Sequence, residues 1–214
     1  MSVDITTFVT GGQFMVNTVV VADAGPCWIV DPGEGCTDVL DHVRAAQREP
    51  KAILLTHGHA DHIAGAGEVR AAFEGIELIC SADDAAMLDD PALNLSALLG
   101  ESIRLGPPDR TVVPGDELTL GRSTWTVLDT GGHGPGGVSY YCAEAGVALV
   151  GDSVFASSIG RTDWPGSDER RLLRNIRENI LSLPGPTRLL TGHGPETTVA
   201  VEKATNPFLR GAGI

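Results

Sequence analysis

The stretch Thr56-His57-Gly58-His59-Ala60-Asp61-His62 (THGHADH) holds three of the six histidines of the chain within a few residues. It follows the apolar run AILLT over Ala52–Thr56, which predicts a short buried strand. Imidazole and carboxylate groups together form a ligand set that suits zinc and related transition metals. Four such groups are packed into one loop, and Gly58 lets that loop curl. We therefore interpret the segment as a metal-binding loop whose side chains can coordinate two adjacent ions.

The same arrangement, a predicted strand that ends in a glycine-flanked His or Asp, occurs three more times. Strands predicted over Ser123–Asp129, Val147–Val150 and Arg188–Thr191 end in TGGHGPGG, GDS and GHG, which carry His133, Asp152 and His193. Loops at strand ends, held by a rigid sheet, are where functional sites are usually built. A lone Gly-His-Gly would be weak evidence, but four such segments in this order predict one shared metal centre.

The ordered set THGHADH, GGHGPGG, GDS and GHG resembles the metallo-β-lactamase superfamily over nearly the whole chain. The resemblance implies an α/β (α+β) fold, a four-layer αβ/βα sandwich of two mixed sheets with helices outside. It also implies the metal ligands: His57, His59 and His133 for a first ion, Asp61, His62 and His193 for a second, and Asp152 as a bridge between them. The third segment commonly reads GHTPG in relatives. This chain has Gly134 in place of that threonine, so the ligand is kept and the hydrogen bonds of the threonine are not.

Within the superfamily, the segment Gly160–Asp163 (GRTD), the following WPGSD and the tail TTVAVEKATNPFL resemble short glyoxalase II-like proteins. This resemblance implies a binuclear hydrolase that cleaves a small-molecule thioester by hydroxide attack on the acyl carbonyl, with Asp61 and Asp152 as catalytic residues. It implies two divalent metal ions, zinc in the first place, with iron or manganese as alternatives. Arg161 is a candidate contact for an anionic group of the substrate. Its other interpretation is a structural ion pair with a carboxylate such as Asp163.

The longer glyoxalase II proteins carry a C-terminal helical domain that binds the thiol carrier. We expect a single domain over residues 1–214 that lacks this carrier-binding domain, so the carrier specificity of the longer proteins does not transfer to this chain.

Other functions on the same fold remain open alternatives. Persulfide dioxygenases share the H-x-H-x-D-H motif and a GRTD-type segment but use a single iron held by two histidines and one aspartate. Their last histidine usually lies in a motif worded differently from Gly192-His193-Gly194. Hydrolysis of another ester or of an amide is a second alternative. A nuclease is disfavoured by the negative net charge of the chain. A metal-binding module without activity is disfavoured because the ligand set is complete.

Composition narrows the partners of the chain. Its 28 acidic residues against 15 basic ones give a net charge of −13, which disfavours a nucleic-acid partner. The first residues have neither the basic nor the apolar region of a signal peptide, and no apolar run is long enough for a membrane span. We therefore expect a cytoplasmic protein, without a membrane partner, whose oligomeric state is open. The four cysteines form no C-x-x-C pair and are interpreted as small buried apolar residues.

Overall fold

The computed structural model describes residues 3–12 and 15–210, and its strands form two six-stranded sheets and one two-stranded ribbon. The first sheet contains β1 Asp4–Thr10, β2 Val16–Ala22, β3 Pro26–Val30, β4 Glu49–Leu54, β5 Glu77–Ser81 and β6 Arg110–Val112. The second contains β7 Glu117–Leu120, β8 Ser123–Asp129, β9 Val138–Cys142, β10 Val147–Gly151, β13 Arg188–Thr191 and β14 Thr197–Thr198. The ribbon pairs β11 Val154–Phe155 with β12 Ser158–Ile159.

Both large sheets are mixed. The first runs in the order β1-β2-β3-β4-β5-β6, antiparallel from β1 to β3 and parallel from β3 to β6. The second runs in the order β14-β13-β10-β9-β8-β7, and only β13 and β10 pair in parallel. The helices are α1 Thr37–Ala45, α2 Ala60–Ile63, α3 Ala66–Ala72, α4 Glu169–Asn175 and α5 Val199–Thr205. Short 3₁₀-helices cover Ala82–Asp89 and Ser96–Leu99, and a π-helical turn over Ile176–Ile180 continues α4.

Alternation along the strands divides the core into layers, because successive side chains of a strand point to opposite faces. In β2, Val19 and Val21 belong to the cluster between the two sheets, together with Trp125 of β8. Val20 and Ala22 point the other way and belong to the cluster that the first sheet forms with α1 and α3.

The outer face of the second sheet is covered in the same manner. Ala148 and Val150 of β10 pack in one cluster with Leu172 of α4 and Ile176 of the π-helical turn. The layers are therefore helix, sheet, sheet, helix. The predicted four-layer αβ/βα sandwich with two mixed sheets is confirmed.

Several element boundaries differ from the sequence-based expectation. The strand expected over Ala52–Thr56 runs from Glu49 to Leu54, so Thr56 belongs to the loop that follows it. The sequence also predicts a helix from Ala82 to Leu88. The structure has a 3₁₀-helix there, capped by Ser81, whose side chain accepts a hydrogen bond from the backbone N–H of Asp84. The β-branched and apolar run Phe14–Ala22 predicts a strand. The observed strand begins at Val16, and Phe14 itself lies outside the described residues.

The helical spacing of Leu172, Leu173, Ile176 and Ile180 predicts one long helix over residues 168–183, but the α-helix extends only as far as Asn175. It begins after Asp168, whose side chain caps it by accepting a hydrogen bond from Arg171 N–H. The π-helical turn then carries the helix on to Ile180.

The two sheets are held together along one edge by hydrogen bonds around the end of β4. Tyr140 of β9 donates its hydroxyl to the carbonyl of Leu55 over 2.8 Å. The backbone N–H of Val138 donates to the carbonyl of Thr56, also over 2.8 Å. This fixes the start of the THGHADH loop against the second sheet.

All four cysteines are buried and free, which confirms their interpretation as small apolar residues of the interior. In residues 3–12 and 15–210, no helix has both the length and the apolar character needed to cross a membrane.

Candidate metal centre

Seven side chains from four loops converge at the edge where the two sheets meet. Their potential ligand atoms form overlapping groups in which all atoms lie within 4.8 Å of one another. The groups are His57, His59 and His133; His57, His62 and Asp152; and Asp61, His62 and His193. The structure thus brings together every residue that the sequence predicted as a ligand.

The spacing of these atoms matches a coordination shell. His59 Nδ1 lies 3.0 Å from His133 Nε2, and His193 Nε2 lies 3.1 Å from Asp61 Oδ2. Ligand atoms of a tetrahedral zinc ion, at bonds of about 2.0–2.1 Å, are separated by about 3.3–3.4 Å. One oxygen of Asp152 lies 3.6 Å from His133 Nε2 and 3.3 Å from His193 Nε2. This carboxylate therefore stands between the two groups, where a bridging ligand belongs.

Asp31 fixes the orientation of two of the imidazoles. Its carboxylate accepts hydrogen bonds from Thr56 N–H (2.7 Å), Thr56 Oγ1–H (2.6 Å) and His62 Nδ1–H (3.0 Å). Since the only hydroxyl proton of Thr56 goes to Asp31, its oxygen accepts from His57 Nδ1, which lies 3.2 Å away. His57 and His62 consequently turn their Nε2 lone pairs into the cluster.

Two backbone carbonyls fix the orientation of two more imidazoles. His133 Nδ1 donates to the carbonyl of Arg161 over 2.7 Å, and His193 Nδ1 donates to the carbonyl of Met15. A carbonyl can only accept, so both rings carry a proton on Nδ1 and present Nε2 to the cluster. His59 differs, because it is the Nδ1 atom of this ring that faces His133.

Three buried atoms of the cluster show that these residues fit a cation. His57 Nε2, His62 Nε2 and Asp152 Oδ1 are enclosed and have no hydrogen-bond partner. Leaving a buried polar atom unpaired costs about 1–3 kcal/mol. A cation that takes up these lone pairs removes that cost, and His/Asp donors are the set that zinc, iron and manganese accept.

The same environment shifts proton affinities in opposite directions. Burial lowers the pKa of His57 well below its ordinary value and that of His59 to about 3, and neighbouring imidazoles add to both effects. For His193, burial also acts to lower the pKa, but hydrogen bonds to Asp152 and Asp61 outweigh it and raise the pKa to about 10. The cluster thus holds some imidazoles neutral at pH 7, as metal ligation requires, and pairs another with carboxylates.

Glycines at two positions bear directly on the cluster. A Cβ atom at Gly192 would lie 2.1 Å from Asp152 Oδ1 and 2.7 Å from His62 Cε1, so no side chain fits there. Gly134, which replaces the threonine of relatives, is different: a Cβ would lie 3.9 Å from the His57 ring, which is an ordinary contact. The change at residue 134 therefore opens space beside the imidazoles without displacing them.

Two aspartates that the sequence interpretation missed support the ligand loops. Asp31 has the same kind of sequence signal as Asp152, because it directly follows strand β3 and is followed by Pro32 and Gly33. Asp84 gave no such signal, since it lies in a predicted helix. Its buried carboxylate accepts hydrogen bonds from the backbone N–H groups of Gly58 and Gly136 and so joins the loop of His57 and His59 to that of His133.

Arg161 forms an ion pair with Asp163, which was the second of its two predicted roles. Its guanidinium makes two hydrogen bonds to the Asp163 carboxylate, at 2.9 and 2.7 Å, and lies over the Trp164 ring. Both charged side chains are more than half exposed. The backbone of Arg161 supports the cluster through His133, whereas a substrate contact by its side chain stays a prediction.

A sequence profile described as the metallo-β-lactamase superfamily matches residues 11–193. The chain belongs to this superfamily. The probable metallo-hydrolase YqgX of Bacillus subtilis (strain 168) is 38% identical to it over 204 residues, covering 95% of this chain and 96% of that protein. The hydroxyacylglutathione hydrolase GloC of Haemophilus influenzae (strain ATCC 51907 / DSM 11121 / KW20 / Rd) is 33% identical over 183 residues, covering 85% and 86%.

Two solved structures are similar to the chain over nearly its whole length. BLEG-1, described as a B3 metallo-β-lactamase, superposes with a TM-score of 0.91 at 38% identity, covering 97% of this chain and all of that one. TTHA1623, solved in a di-iron-bound form, has a TM-score of 0.85 at 32% identity and covers 95% of this chain and all of that one. Membership in this superfamily makes the chain a metal-dependent hydrolase with a His/Asp cluster suited to a dimetal centre.

Proposed function

We propose that the chain is a binuclear metal-dependent thioesterase. The observation that carries the proposal is the chain of three overlapping ligand groups next to a cavity that reaches Asp61. The middle group, which contains Asp152, shares His57 with one neighbouring group and His62 with the other. In this proposal His57, His59 and His133 hold one ion, Asp61, His62 and His193 hold the other, and Asp152 bridges them. Zinc is the first candidate for both ions. The di-iron form of the similar TTHA1623 supports iron as the alternative.

When bound, two divalent cations would lower the pKa of a water molecule toward neutrality and polarise an acyl oxygen. The protein supplies the positioning. Asp31 and the carbonyls of Arg161 and Met15 hold the imidazoles in the required tautomers. Asp61 lies at the border between the cluster and the cavity, where its carboxylate can orient the attacking hydroxide.

Cleavage adds one water across the thioester, giving a carboxylic acid and a thiol. A thiol has a pKa of about 8.5, so it leaves as thiolate with little assistance from an acid. Thioester cleavage therefore needs no dedicated proton donor. The similarity to the hydroxyacylglutathione hydrolase GloC supports the thioester as the substrate class.

The proposal is tested by thiol release from S-lactoylglutathione and a panel of other thioesters, with protein of known metal content. The Asp152→Ala variant should lose activity and part of its metal. Asp163→Ala, which removes an exposed carboxylate paired with Arg161, is the matched control and should keep its metal. Full activity in Asp152→Ala would refute the assignment. Release from no thioester with two metals bound would leave a hydrolase of another bond.

Amide hydrolysis is a second candidate because of the similarity to BLEG-1. A chromogenic cephalosporin assayed with the same metal-loaded protein distinguishes the two: faster turnover of the β-lactam than of any thioester would favour the amide. One iron per chain together with oxygen uptake on a persulfide would instead support the dioxygenase alternative.

A further inference from the structure

A cavity of about 350 Å³ opens beside the metal centre and is bordered by Asp61. Its wall combines two kinds of side chain. Glu34 and Glu101 are acidic, and Leu99 and Ile103 are apolar. A substrate that reaches the cluster through this cavity must therefore pass both an acidic and an apolar region.

Hydrogen bonds anchor the part of the wall that contains Glu101 and Ile103. Asn94, which is fully buried, accepts a hydrogen bond from Ala60 N–H on its backbone carbonyl (2.8 Å) and donates from its side chain to the carbonyl of Ile103 (3.0 Å). Ser96 accepts from the N–H groups of Ile103 (3.1 Å, on Oγ) and Glu101 (2.9 Å, on the carbonyl). These bonds fix Glu101 and Ile103 relative to the residue that precedes Asp61.

The backbone at Glu34 is also anchored within the cavity border. The backbone carbonyl of Glu34 accepts a hydrogen bond of 2.6 Å from Gly11 N–H, and both residues border the cavity. Among the described residues of the border, none carries a positive charge. Arg161, the cation that the sequence suggested for an anionic substrate, is paired with Asp163 and does not border the cavity.

Asp61 is assigned to the metal ions, so its charge is compensated when they bind. Glu34 and Glu101 belong to none of the ligand groups and keep their charge toward the cavity. A negative charge on the substrate would meet two carboxylates there, whereas a positive charge would be attracted. Glutathione, with two carboxylates and one ammonium group, has the wrong net charge for this wall.

We infer that the cavity selects acyl thioesters whose thiol part is cationic, and that it discriminates against anionic carriers. The inference rests on the proposed thioesterase function. The thiol part lies between Glu34 and Glu101, and apolar carbons of the substrate pack on Leu99 and Ile103. These four residues set specificity, and none of them holds the metal.

The test is a comparison of three acetyl thioesters that differ in the charge of the thiol part: acetylthiocholine (cationic), S-acetyl-N-acetylcysteamine (neutral) and S-acetyl-3-mercaptopropionate (anionic). We expect kcat/KM to fall in that order, by about tenfold between the ends at low salt. The difference should shrink at about 1 M ionic strength, where the Debye length is about 3 Å.

Variants of the two glutamates test whether the cavity wall causes the preference for the cationic substrate. Glu34→Gln and Glu101→Gln should each reduce the preference for the cation a few-fold, their combination should abolish it, and Glu101→Lys should reverse it. Glu77→Gln is the matched control. It removes the same charge at the start of β5, away from the cavity border, and should leave the preference unchanged.

Binding of the corresponding non-hydrolysable thioethers, measured by calorimetry, separates this inference from the proposed function. If no thioester is cleaved but the cationic thioether binds best, and loses that advantage in the double Gln variant, the function fails and the charge selection stands. Equal or tighter binding of the anionic thioether overturns the inference, as does a cation preference that survives in the double Gln variant.

Discussion

The buried carboxylate of Asp84 accepts a hydrogen bond of 2.7 Å from the backbone N–H of Gly136, and its other oxygen accepts one of 2.9 Å from Gly58 N–H. A single side chain thus holds together a loop of the first sheet and a loop of the second, each of which carries predicted metal ligands. Gly136 is required for this contact, because a Cβ atom there would lie 2.6 Å from Asp84 Oδ1.

Replacing Asp84 should weaken the metal centre although Asp84 is not itself a ligand. In Asp84→Asn the amide can accept only one of the two hydrogen bonds, and its NH₂ group faces the other N–H. We expect metal affinity to fall about 10–100-fold, as for other residues that orient ligands. Chelator competition measures this. Asp83→Asn, at the adjacent exposed position, should bind metal like the unmodified protein; equal affinity in both variants would contradict the proposed role of Asp84.

The pKa of Asp84 predicts a pH dependence of stability. Burial raises the pKa of this carboxyl to about 6, and the two backbone N–H groups only partly offset that effect. A group whose pKa is higher in the folded than in the unfolded state stabilises the fold at low pH, and this contribution is lost as the pH rises through the folded value. Between pH 5 and 7.5 the contribution should change by about 1 kcal/mol.

Urea unfolding of the metal-free protein checks this prediction, with Asp84→Asn as the control in which the group cannot titrate. The difference in unfolding free energy between the two proteins cancels the other titrations. It should favour the unmodified protein more at pH 5 than at pH 7.5, and a difference independent of pH would be inconsistent with the raised pKa.

Gly192→Ala should disrupt the centre through a single methyl group. That Cβ would lie 2.1 Å from Asp152 Oδ1, so the bridging carboxylate has to move. We expect metal affinity to fall by at least about tenfold and activity to fall with it. Gly67→Ala in α3 is the control, because a Cβ there meets no atom within 4 Å. It should stabilise the protein by about 0.5–1 kcal/mol, and unchanged metal binding in Gly192→Ala would refute the crowding argument.

Removing the metal should destabilise the protein, since the cluster then buries unpaired atoms such as His57 Nε2 and Asp152 Oδ1. A ligand that binds only the folded state stabilises it by about 2.7 kcal/mol at a free concentration of about one hundred times its Kd. Thermal unfolding measured with increasing zinc, and with excess chelator, gives the dependence of the unfolding temperature on bound metal. The same unfolding temperature under both conditions would mean that zinc does not bind the folded protein in preference to the unfolded chain.

The fold was predicted through the resemblance to the superfamily that the ordered His and Asp motifs carry, and the cluster was predicted from the position of those motifs at strand ends. His57, His133 and Asp152 each follow a strand and are flanked by glycine, and strand ends of one sandwich meet at one edge. Asp84 could not be found in this way, because its role depends on two backbone N–H groups that approach only in the folded chain. The cavity wall was also hidden, since the position of Glu101 depends on hydrogen bonds to Ser96 and Asn94 that no local pattern encodes.

Each sheet supplies ligands to the same cluster: His57 and His59 follow a strand of the first, and His133 follows a strand of the second. A cation held by all three would join the two halves of the sandwich as a disulfide joins two chain segments, in a protein whose cysteines are all free. Metal loading would then govern the cooperativity of unfolding, because the halves could open one at a time only after the ion had left.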